Sequence, residues 1–352
     1  MPGIRFRLLA PALLLLTGMA TAPSSAQPAP AADPAPDPAL RAAFLAEATG
    51  KYGLPAEEVE AWLGKARYRQ SIVDAMSRPA EAVKPWKDYR PIFLNGKRIA
   101  DGRRFLATHR EALARVGADT GVPPEVIVAI IGVETSYGRI TGSYPVLDAL
   151  YTLGFFYPVS GKPEQVEREQ RRGAFFRDEL AQVMRLAHEE GLDLAGLRGS
   201  YAGAMGWGQF MPSSYRAYAR DGDGDGRRDL FGSLPDIFAS VANYFVAHGW
   251  EAGAPVAVPA LAEDGARFQA EGLEARYSLA ELGEAGFRPA LAIGEDRPAT
   301  LVTLEGEAGT EHWLGFRNFY VITRYNRSPM YALAVYQLSR EIAAAGDAAI
   351  AP

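Results

Sequence analysis

Between Pro123 and Thr135 the chain reads Pro-Pro-Glu-Val-Ile-Val-Ala-Ile-Ile-Gly-Val-Glu-Thr, and no other stretch restricts the fold as much. Paired prolines suit a first helical turn, where the backbone N–H has no partner inside the helix anyway. Val126, Ile127, Ile130, Ile131 and Val133 then follow with helical spacing, so the helix they build is largely buried. Such a helix needs other elements around it, and the same periodicity predicts them as further helices: two short ones, from Ala39 to Gly50 and after Pro55, then others over 103–116, 169–190, 214–219, 235–248 and 330–342. Between Gly253 and Gly306 the texture changes to β-branched runs at 256–258 and 300–303, interrupted by Gly, Pro and acidic turns. No repeat of fixed period is present, which sets solenoids and propellers aside. The expected class is therefore mainly α (α+β), with a helical region over 39–252, a small β-rich insertion over 253–306 and a return to the main core over 307–347.

The N-terminus carries a different pattern. Arg5 and Arg7 precede an apolar run over 8–16, and small residues Ser24, Ser25 and Ala26 follow, the layout of a secretory signal cleaved near Ala26. An uncleaved N-terminal anchor is the alternative. Residues 27–38 are almost all Pro, Ala and Asp, which cannot form a core and read as an extended tether. No later stretch reaches the roughly 20 apolar residues of a membrane-spanning helix, so the expected product is a soluble periplasmic protein. The sequence has no cysteine, which excludes both disulfides and an acylated N-terminal cysteine. A net charge of −5 gives no general attraction to a polyphosphate, and nucleic acid is not expected as a partner.

Three segments can carry chemistry. The first is Gly132 to Gly138, where Glu134 leaves the buried helix. A carboxylate in such apolar surroundings is costly to ionise, so its pKa should rise and it could serve as a general acid near neutral pH. A glutamate that simply reaches solvent at a helix end is the competing outcome. The second is Ser200 to Pro212, in which small residues alternate with Met205, Trp207, Gln209 and Phe210, a surface suited to the apolar faces and amides of sugars, or else a Gly-rich loop packed on core aromatics. The third runs Asp221-Gly-Asp223-Gly-Asp225-Gly-Arg227-Arg-Asp229. It sets oxygen ligands at positions one, three, five and nine of an EF-hand-type loop, with the backbone of Arg227 at seven and the required glycine at six. Gly232 stands at position twelve, where a bidentate glutamate belongs, and Asp236 could complete the shell only if the loop is longer than usual. A structural calcium ion is the expected occupant, a solvated acidic turn the alternative. His109, His188, His248 and His312 lie far apart and form no helical metal pair.

Together these segments resemble the B-type lytic murein transglycosylases, a family with a lysozyme-like catalytic domain. The resemblance runs from about Tyr89 to Leu338 and is strongest at 132–135, 203–215 and 318–326. It implies that Glu134 is the sole catalytic acid/base, that Ser200 and Asn326 are polar positions beside it, and that Gln209 is a substrate-binding amide. It implies groove aromatics at Tyr89, Tyr244, Tyr325 and Tyr331, with Phe175 standing where a tyrosine is more usual. An EF-hand-like loop is also a family feature. The implied substrate is the glycan strand of peptidoglycan, cut between N-acetylmuramic acid and N-acetylglucosamine to leave a 1,6-anhydro end, and cell-wall synthesis proteins are candidate partners. No second acid lies in the matched segments; Asp148, in the next helical stretch, reads as a helix cap or a surface charge. Two other readings stay open: a lysozyme- or chitinase-like hydrolase, and a wall-binding protein that retains glycan without cutting it.

Overall fold

The computed structural model describes residues 33–77 and 84–348. The signal segment at 1–26 and the first half of the tether lie outside the described residues. Helix α1 (Pro38–Gly50) begins where Asp37 accepts a hydrogen bond from Leu40 N, with Pro38 in the first turn. Helix α2 (Ala56–Lys65) follows Pro55 and buries Val59 and Leu63, one turn apart. Helices α3 (Gln70–Ser77) and α4 (Trp86–Phe93) come next.

The run expected as one helix over 103–116 belongs to two. Helix α5 (Gly96–Thr108) and helix α6 (Arg110–Thr120) part at His109, whose backbone leaves helical geometry and whose ring packs 4.5 Å from Phe105 and 5.8 Å from Phe238. Periodicity crosses the break because both helices turn apolar side chains to one core. Gly121, left-handed at φ 70°, closes α6, and the chain bends by 112° into helix α7 (Pro124–Thr135). Every residue of α7 from Val126 to Gly132 is buried.

Strand β1 (Tyr144–Pro145), helix α8 (Val146–Phe155), the long helix α9 (Val166–Glu190), strand β2 (Arg198–Gly199), and helices α10 (Pro212–Tyr218) and α11 (Leu234–Ala247) complete the first part. β1 and β2 pair antiparallel and bring the Gly-rich segment that follows β2 back toward the end of α7. Next come strand β3 (Ala257–Ala262), helix α12 (Leu279–Glu284) and strands β4 (Phe287–Pro289), β5 (Thr300–Gly306) and β6 (Gly309–Gly315), in an antiparallel sheet of order β4-β3-β6-β5. This sheet has a small core of its own, with Val258 opposite Leu314 in register and Leu282, Phe287 and Phe316 packed beside them. Strand structure thus extends past Gly306: the half-polar start of β6, Gly-Thr-Glu-His, hides its period-two signal.

Helix α13 (Arg317–Tyr325) and helix α14 (Pro329–Ala348) return to the main core. There α7 is enclosed by α5, α6, α11 and α14, which is how a helix apolar on all sides satisfies the hydrophobic effect in water. Among the described residues no single helix is long and apolar enough to cross a membrane.

Candidate active site

Helix α7 ends abruptly, and the ending builds the site. Ser136 and Tyr137 both adopt left-handed backbone, at φ 51° and 62°, followed by Gly138 at 78°. Non-glycine residues enter that region at a cost, and two in succession mark a locally strained turn. A side chain at Gly138 would collide with the indole of Trp207, and one at Gly132 with the ring of Tyr137. Buried Thr135 locks the turn to the second segment: its Oγ lies 3.1 Å from Ile131 O and 3.0 Å from Trp207 O, and it accepts from Gly138 N at 3.0 Å. The end of α7 and the Gly-rich loop are therefore one unit, held by a hydroxyl that the sequence pattern does not single out. Its signal, a threonine four residues after a helical carbonyl, is common to many helices.

Glu134 retains partial exposure, yet its carboxyl group is densely surrounded. Burial raises its pKa from the ordinary 4.5 to about 7, opposed by a hydrogen bond that the Tyr331 hydroxyl donates to Oε1 at 2.5 Å. Among the described residues no other carboxylate contributes to that shift. Burial, then the Glu134 charge, hold the phenols of Tyr325 and Tyr331 well above the usual tyrosine range, so Tyr331 stays a donor at any ordinary pH. The resemblance implied a groove aromatic at Tyr331; the structure adds that this side chain bonds the acid directly.

The other expected residues fall into three groups. Tyr89, Tyr244 and Tyr325 belong with Tyr331. Tyr89 stacks on Trp86 and lies near enough to influence the Tyr331 phenol. The Tyr244 and Tyr325 rings are 4.7 Å apart, with Phe210 against both. Their hydroxyls are spent on backbone, Tyr244 on Arg324 O and Tyr325 on Gly208 O, each at 2.7 Å. Gln209, left-handed at φ 51°, donates both amide hydrogens inside the loop, to Thr141 O at 3.0 Å and Gly206 O at 2.9 Å, which leaves its carbonyl oxygen for a ligand. Ser200 accepts from Ala204 N at 3.0 Å and Ala202 N at 3.3 Å, so it shapes its own turn while keeping its proton to donate. Asn326 caps α13 in extended backbone with its side chain exposed. Phe175 stands apart, 39% exposed on α9 between Phe176 and the Arg172 guanidinium, and no contact ties it to Glu134.

Asp148 is neither a surface charge nor a mere cap. It is buried in the first turn of α8, accepting from Arg67 N at 2.9 Å and Arg69 Nε at 2.8 Å, which fastens the 67–69 connection onto the core.

The acidic loop contracts around three of its expected ligands. Carboxylate oxygens of Asp221, Asp223 and buried Asp236 all lie within 4.8 Å of one another. Asp236 is thus brought in from the start of α11, where it also accepts from Gly222 N and Asp229 N, both at 2.7 Å. Asp225 and Asp229 fall outside the trio; Asp225 accepts from Arg227 N, and Asp229 from Phe231 N and Gly232 N. A hard, all-oxygen donor set of this kind fits calcium.

Known proteins place the chain in a family. The family described as Transglycosylase SLT domain matches residues 38–340, which takes in helices α1 to α3 ahead of Tyr89. The chain belongs to this family, and its fold is the lysozyme-like one. It is 40% identical over 311 residues to membrane-bound lytic murein transglycosylase B of Escherichia coli strain K12, covering 86% of this chain and 82% of that protein. The crystal structure of soluble lytic transglycosylase SltB1 from Pseudomonas aeruginosa superposes with a TM-score of 0.78 at 47% identity, over 88% of this chain and 100% of that one. Escherichia coli lytic transglycosylase Slt35, solved in complex with calcium, gives 0.76 at 39% identity over 88% and 94% of the two chains.

Proposed function

We propose that Glu134 is the single acid and base of this lytic murein transglycosylase, acting in the periplasm on the bond between N-acetylmuramic acid and N-acetylglucosamine. One observation carries the reading: a carboxyl with a pKa raised to about 7, hydrogen-bonded to Tyr331 and without a carboxylate partner among the described residues. Two-carboxylate glycosidases need the second group to activate water or to attack the sugar. With one, the nucleophile must come from the substrate.

Protonated Glu134 gives its proton to the glycosidic oxygen as the C1–O bond breaks, and the 2-acetamido carbonyl of the muramic residue stabilises the cation forming at C1. The Glu134 carboxylate then takes the proton of the same sugar's 6-hydroxyl, whose oxygen bonds to C1 and closes the 1,6-anhydro ring. The proton count balances: Glu134 gives one proton, takes one back and ends protonated, ready for the next cleavage. A 6-hydroxyl held in place attacks within one molecule, an advantage worth up to roughly 7–11 kcal/mol in favourable cases. Tyr331 steadies the carboxylate form through its donated hydrogen bond, while Tyr89, Tyr244 and Tyr325 offer ring faces to the sugars. The Gln209 carbonyl, the Ser200 hydroxyl and Asn326 are proposed contacts for N–H and hydroxyl groups of the substrate.

The trio of Asp221, Asp223 and Asp236 supports a structural calcium ion, which would offset two of the three negative charges and fix the entry to α11. The signal-like layout of the first residues supports export.

The test is to digest purified sacculi and weigh the fragments. Anhydro ends, lighter by one water than reducing ends, are expected; reducing ends would replace this reading with hydrolysis. Muropeptide release by Glu134→Gln at the wild-type rate would remove Glu134 from the chemistry.

A further inference from the structure

Helices α4 and α14 each present a second face. Tyr89 and Tyr331 border Glu134, but Trp86 and Arg90 of α4, with Tyr336 and Arg340 of α14, line a separate cavity of ≈ 500 Å³ closed by Trp313 and Glu307 of the β5–β6 hairpin. Its walls are tied together: Arg90 Nε donates to Gln337 Oε1 at 2.7 Å, joining α4 to α14, and Lys87 Nζ reaches Glu305 at 2.9 Å, joining α4 to β5. Trp86 is 1% exposed, and its indole N–H has no acceptor among the described residues. At the mouth, Arg340 and Glu307 are exposed, and neither is held in an ion pair among the described residues.

We propose that this cavity binds the peptide stem carried by the muramic acid of the strand being cut, a proposal that rests on the surroundings of Glu134 being the glycan site. The cavity has aromatic walls and charges of both signs, which neutral sugar hydroxyls and acetamides do not call for. A murein stem has free carboxylates, suited to the planar guanidinium groups of Arg90 and Arg340. Where it contains a diamino acid it also has an ammonium, suited to Glu307, and its methyl and methylene groups suit the faces of Trp313 and Tyr336. Distance fits too. Five residues separate Tyr331 from Tyr336, about 7.5 Å along α14 and about 140° around it, and an extended stem of four or five residues, at about 3.3 Å each, spans about 13–17 Å, the scale of that path.

Two measurements on the full chain test this. In the first, a free stem tetrapeptide containing a diamino acid is titrated calorimetrically into Glu134→Gln, and into the same protein carrying Arg340→Glu or Glu307→Lys. Binding to the parent is expected, about tenfold weaker with Arg340→Glu, the size of one lost charge pair. Glu307→Lys should weaken the tetrapeptide but not its N-acetylated side-chain derivative. In the second, Arg340→Glu in the active enzyme is assayed on stem-bearing strands and on strands stripped of peptide by an amidase. KM should rise about tenfold on the first, with kcat unchanged and stripped strands turned over as by wild type. Equal losses on both strands, or no binding of the free peptide, would overturn the proposal. Reducing ends from stripped strands would instead count against the transglycosylase mechanism and leave the peptide titration to judge the cavity.

Discussion

Replacing Glu134 by Gln should make the protein more stable as pH rises, because the acid is kept uncharged by burial that the folded state must provide. Its pKa moves from 4.5 to about 7 on folding. Below pH 4.5 the group is protonated in both folded and unfolded chains and contributes nothing to pH dependence. Above it the unfolded chain releases the proton first, so wild-type stability falls until the folded pKa near 7 is passed, and then levels off. At about 1.4 kcal/mol per unit, the accumulated loss approaches about 3 kcal/mol. Glutamine keeps the shape and the acceptor for Tyr331 but does not titrate. With unfolding entropy of about 2 cal/mol/K per residue, the plateau corresponds to a Tm gap of about 4–5 °C for a chain of this size. The assay is thermal melting of both proteins from pH 4 to 8 under matched salt. Every other titrating group cancels in the difference, and Tyr325 and Tyr331 ionise far above this range. A gap that is constant with pH, or that closes as pH rises, would refute the account of why Glu134 is an acid.

Three further outcomes follow from the same geometry. Tyr331→Phe removes the hydrogen bond that holds the Glu134 pKa down, so the alkaline limb of the kcat profile should move up by about one unit, the worth of one charge-assisted bond; an unmoved limb would show that this bond does not govern the acid. Calcium at about 100 times its Kd should stabilise the protein by about 2.7 kcal/mol, and Asp236→Asn should abolish the response in a melting experiment while Asp225→Asn leaves most of it. Asp148→Ala strands Arg67 N–H beneath the core, and denaturant titration should read a loss of about 2 kcal/mol, with kcat/KM per folded molecule unchanged.

The parts of the fold visible in the sequence are those with a local cause. A proline-led apolar run marks α7 on its own, and the apolar spacing that announces α1 and α2 is likewise set within a few residues. What stayed hidden depends on partners far along the chain. His109 breaks a helix whose periodicity continues, because the position of Phe238 lies outside any local window. β6 pairs along its whole length with β5 and over 312–315 with β3, and the β5 pairing carries the first residues, which are too polar to announce a strand. Asp148 is buried since Arg67 and Arg69, some eighty residues earlier, enclose it.

The site divides along the same line. Glu134 could be singled out because its apolar surroundings are its own helix, and burial by immediate neighbours can be read from residue order. Tyr331 could be placed in the groove only through resemblance, and its bond to the acid spans 197 residues. The acidic loop is the instructive middle case. Ligand spacing singles out Asp221, Asp223, Asp225 and Asp229, and the structure brings the first two together with Asp236. Here Gly232 cannot close the shell, and Asp236 enters from the first turn of α11, anchored by the N–H groups of Gly222 and Asp229. A carboxylate held on a helix is more rigidly placed than one on a loop, which makes this variant of the motif a brace between the loop and α11. Tyr244, two turns along that helix, packs against Tyr325, which lies close to Glu134, so an ion bound at the start of α11 would stiffen the aromatic cluster beside the proposed acid.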